Sequence, residues 1–164
     1  MKYIPLSQGL FATVDDSDYE WLSKFKWFTR KSRNVFYAAR HPPRGTGKYG
    51  MIHMHREILG LTDPKIQCDH RDGNGLNNTR SNLRACSQKE NLYNHRKYST
   101  NTSGMAGISW HKYARKWNAR ITVDGKTTSL GYFNSLEAAA EAYNLAAVKV
   151  HGDFARLNQL TLQA

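Results

Sequence analysis

Cys68-Asp69-His70-Arg71-Asp72-Gly73-Asn74-Gly75-Leu76-Asn77-Asn78-Thr79-Arg80-Ser81-Asn82-Leu83-Arg84, followed by Ser87-Gln88-Lys89-Glu90-Asn91, is the stretch whose reading decides the fold. It reads as strand, polar loop, strand and helix. Asp72-Gly73 is a turn pair that stops the first strand. Ser87 and Glu90 form a capping box, with Ser87 at the N-cap and Glu90 three residues on. The helix opened there carries Asn91, Leu92, Asn94 and His95. Neighbours in a flat strand point to opposite faces, so Asp69 and His70 serve one centre only if the strand ends or bulges beside them. Asp72-Gly73 allows that.

The residue types point to a definite chemistry. An imidazole of ordinary pKa about 6.5 takes up a proton near neutral pH. A carboxylate and an amide oxygen suit a hard divalent ion such as Mg²⁺, which keeps several waters. Phosphodiester hydrolysis needs a base for water, a cation for the developing charge and neutralisation of the leaving oxygen. Asp69, His70 and Asn91 supply groups for these tasks. His95 lies one helical turn beyond Asn91, as a further ligand, a phosphate contact or an incidental surface residue. His53 and His55 alternate along an expected strand around Met54; one of them reaching the site is the alternative to packing or phosphate contact, which is their first reading. With Cys68 and Cys86 they are the available zinc donors. The chain lacks the paired C-x-x-C spacing of a zinc site, so no zinc is expected. Arg71, Arg80 and Arg84 are candidate phosphate clamps, each weighed against plain solvated surface.

Charge supports an anionic partner. Among 164 residues, 24 Lys and Arg outnumber 13 Asp and Glu, a formal net charge of +11. Residues 84–126 hold nine basic and two acidic residues, more than half of that surplus in a quarter of the chain. Such concentration marks a binding face. No run approaches the roughly 18 apolar residues of a membrane span, and the N-terminus lacks the apolar core of a secretion signal. Two cysteines cannot build a disulfide framework, so a reducing compartment is expected. An apolar content of 40% still suffices for small cores.

The chain is expected to be α+β, in three blocks. Residues 1–48 form a small β-rich segment: Ile4 and Leu6, then Leu10, Ala12 and Val14, alternate as strands about Gln8-Gly9. Asp15 or Asp16 caps a helix carrying Tyr19, Trp21, Leu22 and Phe25. Trp27–Arg30 and Val35–Arg40 pair as a hairpin. Residues 49–97 hold the chemistry, and 98–104 are a polar linker. Residues 105–158 start with strands at Gly107–His111, Lys116–Val123 and Thr127–Phe133, with a tight turn at Asp124-Gly125. A helix from Asn134 or Ser135 covers that sheet and ends at Gly152, expected as a left-handed cap. Residues 159–164 are a tail.

Parity divides the late sheet into two faces. Ile108, Trp110, Trp117, Ala119, Ile121, Val123, Thr128, Leu130 and Tyr132 are expected under the helix. Ser109, His111, Asn118, Arg120, Thr122, Thr127 and Ser129 are expected to face solvent. Lys112, Arg115, Lys116 and Lys126 flank that polar face at the loop ends. A ribbon of this width fits a DNA major groove, with the flanking cations placed for phosphates.

Two resemblances sharpen this. The order DH-x-DGN-x-x-NN-x-x-x-NLR and S-x-x-EN over residues 69–91 resembles the HNH (ββα-metal) endonucleases, particularly the phage and intron-encoded homing enzymes. The resemblance implies a ββα-metal nuclease core with His70 as general base and Asp69 and Asn91 as metal ligands. Asn82 would be the central, structural asparagine, and Mg²⁺ or Mn²⁺ the cofactor. It further implies double-stranded DNA as substrate, 5′-phosphate ends, and a phage- or mobile-element-encoded enzyme in the cytoplasm of a bacterial host. Residues 1–48 resemble the β-rich lead segment of phage members, with Arg30, Lys31, Arg33 and Arg44 as further DNA contacts. Separately, Ser103–Trp110, Lys116–Ile121, Leu130–Phe133, Glu137–Tyr143 and Gly152–Asn158 resemble the plant ethylene-response-factor (APETALA-type) DNA-binding domain. That family reads the major groove with its sheet. Plant members carry Arg or Trp where this chain has Ser109, Thr127 and Ser129, so no target sequence carries over. The expectation is a site-specific DNA endonuclease, nicking or cutting both strands, without membrane or obligate protein partner. The rival expectation is a DNA-binding regulator with an inert nuclease module.

Overall fold

A computed structural model describes residues 1–45, 50–93 and 101–160. The chain divides into two compact units, Met1–Asn91 and Leu92–Ala164. His95 and residues 98–100 of the expected linker lie outside the described residues.

In the first unit β1 (Lys2–Pro5) and β2 (Phe11–Val14) pair antiparallel, with Ile4 opposite Ala12. Directly paired residues share a face, and both are buried. The connection passes through Gln8 and Gly9, both at positive φ. Helix α1 (Asp16–Leu22) follows Asp15. Asp15 occupies the N-cap without a side-chain capping bond. Its carboxylate instead accepts from the Arg80 backbone N–H at 2.7 Å. Strands β3 (Phe28–Ser32) and β4 (Val35–Arg40) form a hairpin, and β5 (Ile52–His53) adds to β4. The strand expected through His55 stops at His53, because Met54–Ile58 turns into helix α2. Strands β6 (Gln67–His70) and β7 (Leu83–Cys86) pair antiparallel, and α3 (Gln88–Tyr93) follows. The capping box is formed at its start: the Ser87 N–H donates to Glu90 Oε2 at 2.8 Å and the Glu90 N–H to Ser87 Oγ at 3.2 Å.

One apolar core runs through this unit, from Ile4, Val14, Leu22 and Trp27 to Met54, Ile58 and Leu83. The early strands therefore hold the later loop in place. Thr13 N–H donates to the Leu76 carbonyl at 2.9 Å, and Asn78 N–H to the Thr13 carbonyl at 2.7 Å. Arg80 reaches Asp18 through Nε and Nη2, both at 2.8 Å. Gly75 is required here, since a Cβ would sit 2.4 Å from the Phe36 carbonyl and 2.7 Å from the Tyr37 ring.

The second unit is a three-stranded antiparallel sheet of β8 (Ile108–His111), β9 (Lys116–Val123) and β10 (Lys126–Phe133), with β9 central. Helix α4 (Leu136–His151) packs on it, capped by Ser135 Oγ accepting from the Ala138 N–H. Ala139 and Ala140 are fully buried, and their small side chains bring the helix against Ile108 and Ala119. Gly152 follows α4 at φ 53° but ψ −132°, outside the left-handed helical region expected of a cap. Asn158 closes the unit: its amide bonds both backbone groups of Ala106, at 2.6 and 3.1 Å, and its own backbone bonds the Asn144 amide.

Simple alternation fails in β10. Ser129 pairs with Arg120, while Gly131 pairs with Ala119, so Leu130 is an extra residue in the strand. Such a bulge flips the parity of everything beyond it. Tyr132, expected under α4, instead lies opposite Asn118 on the polar face and is 49% exposed. Phe133 takes the place against the helix.

Candidate active site

The β6–β7 register sets which groups meet. Asp69 lies opposite Arg84 and Gln67 opposite Cys86, so these four side chains share one face of the hairpin. Asp69 Oδ2 accepts from Arg84 Nε at 2.7 Å and Nη2 at 2.5 Å. Both side chains are buried, 7% and 10% exposed respectively. Arg84, expected as a phosphate clamp, is thus committed to Asp69; Arg80 is likewise engaged by Asp18. Arg71 is exposed. Asn91, on α3, donates from Nδ2 to Gln67 Oε1 at 2.7 Å. Gln67 is two residues before Asp69, which puts Asn91 on the Asp69 face, about one strand repeat (~7 Å) along it.

His70 is the last residue of β6, and the pairing runs into it without a bulge. Its ring lies on the other face of the hairpin. Tyr37 (centroids 5.9 Å apart) and His55 (5.2 Å, edge-to-face) pack against it, and its Nε2 meets Asn78 Oδ1 at 3.4 Å. Burial lowers the His70 pKa below the ordinary value, against the raising influence of the Asn78 contact and the Asp72 and Asp69 charges. The imidazole is therefore neutral at pH 7 and able to accept a proton. His55 is 8% exposed, and burial, with the charges of His70, His53 and Arg56 adding, pulls its pKa down to about 2. His53 and His55 stack at 5.2 Å instead of alternating along a strand.

The loop between β6 and β7 is built on Asn82 and Asp72. Asn82 Oδ1 accepts from the Asp72 N–H, and its Nδ2 donates to Asp72 Oδ1 and the Asn77 carbonyl, at 3.1, 3.0 and 2.8 Å. Asp72 also takes Asn77 Nδ2 and the Asn74 N–H, both at 2.8 Å. Burial pushes the Asp72 pKa up, but these bonds outweigh it and hold the carboxyl ionised below its usual range. Arg56 ties the approach to β6 by donating to the carbonyls of Leu61, Asp63 and Ile66.

The candidate zinc donors do not assemble. Cys68 and Cys86 project from opposite faces of the hairpin, and burial pushes their thiols up to about 12 and 11. Among the described residues there is no group of three or more His, Cys, Asp and Glu side chains placed to hold a metal. A carboxylate–amide pair stands outside that count.

On the second unit Arg120, Thr122, Thr127, Ser129 and the flanking Lys112, Arg115, Lys116 and Lys126 are exposed, and Ser109 and His111 are half-buried. Asn118 lies on the polar face as expected but is only 8% exposed there, and accepts from Ser129 Oγ at 3.2 Å. His111 and Tyr132, from the strands on either side, bring their rings to 5.1 Å across it. Sequence reasoning missed Tyr132, Tyr37, Gln67 and the packing of His55 on His70. Only Gly131, a bulge signal beside Leu130, hinted at any of these.

Hairpin, asparagine-rich loop and capped helix present a neutral imidazole, a carboxylate and an amide within one small basic α+β unit, the makings of a hydrolytic site for a charged polymer. Comparison with known proteins narrows the class. Over 158 residues, 93% of this chain and 77% of the relative, it is 32% identical to a protein of Acanthamoeba polyphaga mimivirus described as an uncharacterized HNH endonuclease. Over 129 residues, 77% of this chain and 98% of the relative, it is 40% identical to Protein 3.8 of Escherichia phage T7. The chain belongs to the HNH endonuclease family. No protein-family model matches it, and no solved structure does. No helix among the described residues is long and apolar enough to cross a membrane.

Proposed function

We propose that the protein is a metal-dependent, site-specific DNA endonuclease of the homing type, with its ββα-metal core within residues 49–97 and a DNA-binding module within 105–158. The observation that carries this is the buried, neutral His70 at the end of β6, next in the chain to Asp69 but on the opposite face of the hairpin, with Asn91 on the Asp69 face. The donor chemistry fits a hard cation. Asp69 and Asn91 offer oxygens, and the Asn91 nitrogen is engaged by Gln67, which leaves its carbonyl for a ligand. Arg84 holds the Asp69 carboxylate as a counter-ion that a cation would share or displace. When bound, Mg²⁺ or Mn²⁺ supplies charge stabilisation at the phosphate and at the departing oxygen.

His70 takes the proton from an attacking water, its own proton inventory set by burial and by Asn78. Tyr37 and His55 fix the ring. Asn82 and Asp72 keep the loop behind His70 in shape, and Asp18 holds that loop through Arg80. The late sheet, which resembles the ethylene-response-factor domain, raises the local concentration of DNA at the first unit. A relative in a phage supports a phage- or mobile-element-borne gene acting in a bacterial cytoplasm.

The test is cleavage of supercoiled plasmid. Mg²⁺ or Mn²⁺ yields nicked or linear product bearing 5′-phosphates, EDTA yields none, and His70→Ala loses about 10²–10⁴ in rate while still binding DNA. One observation favours a second reading, a DNA-binding regulator with an inert nuclease module: the Asp69–Arg84 pair already neutralises the metal-binding carboxylate. Binding without cleavage under every divalent ion tried decides for that reading.

A further inference from the structure

The turn between β8 and β9 carries a feature that phosphate binding does not use. Tyr113 stands 98% exposed at its tip. The turn is fixed: the Ala114 N–H donates to His111 Nδ1 at 3.1 Å, the Arg115 N–H to the Lys112 carbonyl at 3.3 Å, and Arg115 sits at φ 50°. Arg115 thereby holds a left-handed backbone that few non-glycine residues adopt. Behind it, His111 and Tyr132 meet edge-to-face at 5.1 Å, with Tyr132 49% exposed, and the His111 ring lies 6.4 Å from Tyr113. Lys112, Arg115 and Lys116, all exposed, lie in the same turn or at the start of β9, and the sheet's one acidic loop residue, Asp124, belongs to the opposite turn.

Single exposed aromatics are ordinary. Three aromatic rings held together among cations at one end of a sheet are the pattern of a nucleic-acid stacking platform, in which cations follow the backbone and rings take base faces. A stacked duplex offers no base face to a ring, so the platform favours DNA with an unpaired or unstacked base. We propose that this end of the sheet binds such a base, with Tyr113 as the ring that stacks on it. The inference rests on the reading of the second unit as a DNA-binding module.

The experiment measures binding of the full chain in EDTA, by fluorescence anisotropy, to three probes of one mixed sequence: uninterrupted duplex, the duplex with a three-nucleotide gap, and the single strand. The native chain prefers the gapped and single-stranded probes. Tyr113→Ala, which removes a 98% exposed ring and only its edge-on contact with His111, loses about 5- to 150-fold on those two probes, the range that stacking on one base is worth. It changes little on the duplex, and Tyr113→Phe stays near native binding. Lys116→Glu weakens all three. If Lys116→Glu weakens binding while Tyr113→Ala matches the native chain, or loses equally on every probe, stacking is refuted and the DNA-binding reading stands. If neither substitution matters, the DNA-binding reading of the sheet fails and the stacking platform with it.

Discussion

Acidification from pH 7 to pH 4.5 is expected to cost the Met1–Asn91 unit about 3 kcal/mol through His55 alone. In the folded chain the His55 pKa is pulled down to about 2. In the unfolded chain it returns to about 6.5. Below pH 6.5 the unfolded state binds a proton that the folded state refuses, so stability is lost progressively as pH falls from 6.5 towards 2. Each pH unit in that window is worth about 1.36 kcal/mol, and two units lie between 6.5 and 4.5. His53 and His70, also lowered by burial, add in the same direction. Urea titrations at both pH values, read by hydrogen exchange in peptides of Met1–Asn91, isolate this unit from the other. His55→Phe keeps a ring against His70 and Tyr37 but removes the titration, so it should lose about 3 kcal/mol less than the native chain. An equal loss in both proteins would refute the assignment of acid sensitivity to His55.

Arg84→Ala removes the guanidinium counter-ion from the buried Asp69 carboxylate and should cost about 3–5 kcal/mol. Added Mg²⁺ or Mn²⁺ should then raise the melting temperature of this variant more than that of the native chain, which differential scanning calorimetry reads directly. Asn82→Ala removes three hydrogen bonds from the loop. It should lower stability by about 2–4 kcal/mol in urea titration, with cleavage falling in parallel. DNA affinity should fall steeply with salt, by about 0.9 log units per log unit of salt for each phosphate neutralised, and Lys116→Ala should reduce that slope by about one phosphate. A flat salt profile would contradict a role for the basic sheet face.

What the sequence made legible was whatever is encoded locally. Ser87 and Glu90 specify a helix start by themselves, since both partners of the capping box lie within one turn. The three late strands and their helix follow from alternation, from Asp124-Gly125 and from a run of alanines. Contacts set by register were hidden. That Arg84 answers Asp69 depends on how β6 slides past β7, and no property of either residue reveals it. Leu130 and Gly131 shift the parity of β10 by one residue, which moves Tyr132 from the helix side to the polar side. His55 reaches His70 because β5 stops after two residues, too short a segment for periodicity to separate strand from helix. Asp69, His70, Asn82 and Asn91 stood out as residue types in a known order. The neutral state of His70 came only with the packing of Tyr37 and His55 around it.

The most direct measurement is the single-turnover nicking rate in Mn²⁺ for Asp69→Ala, His70→Ala, Asn91→Ala and the double variant His70→Ala/Asn91→Ala. Groups that act on one phosphate as a unit do not contribute additively. Each single variant should therefore be crippled, and the double variant should be about as slow as the worse single. Cleavage at the native rate by Asn91→Ala, or losses that simply multiply in the double variant, would contradict a common centre for these three side chains.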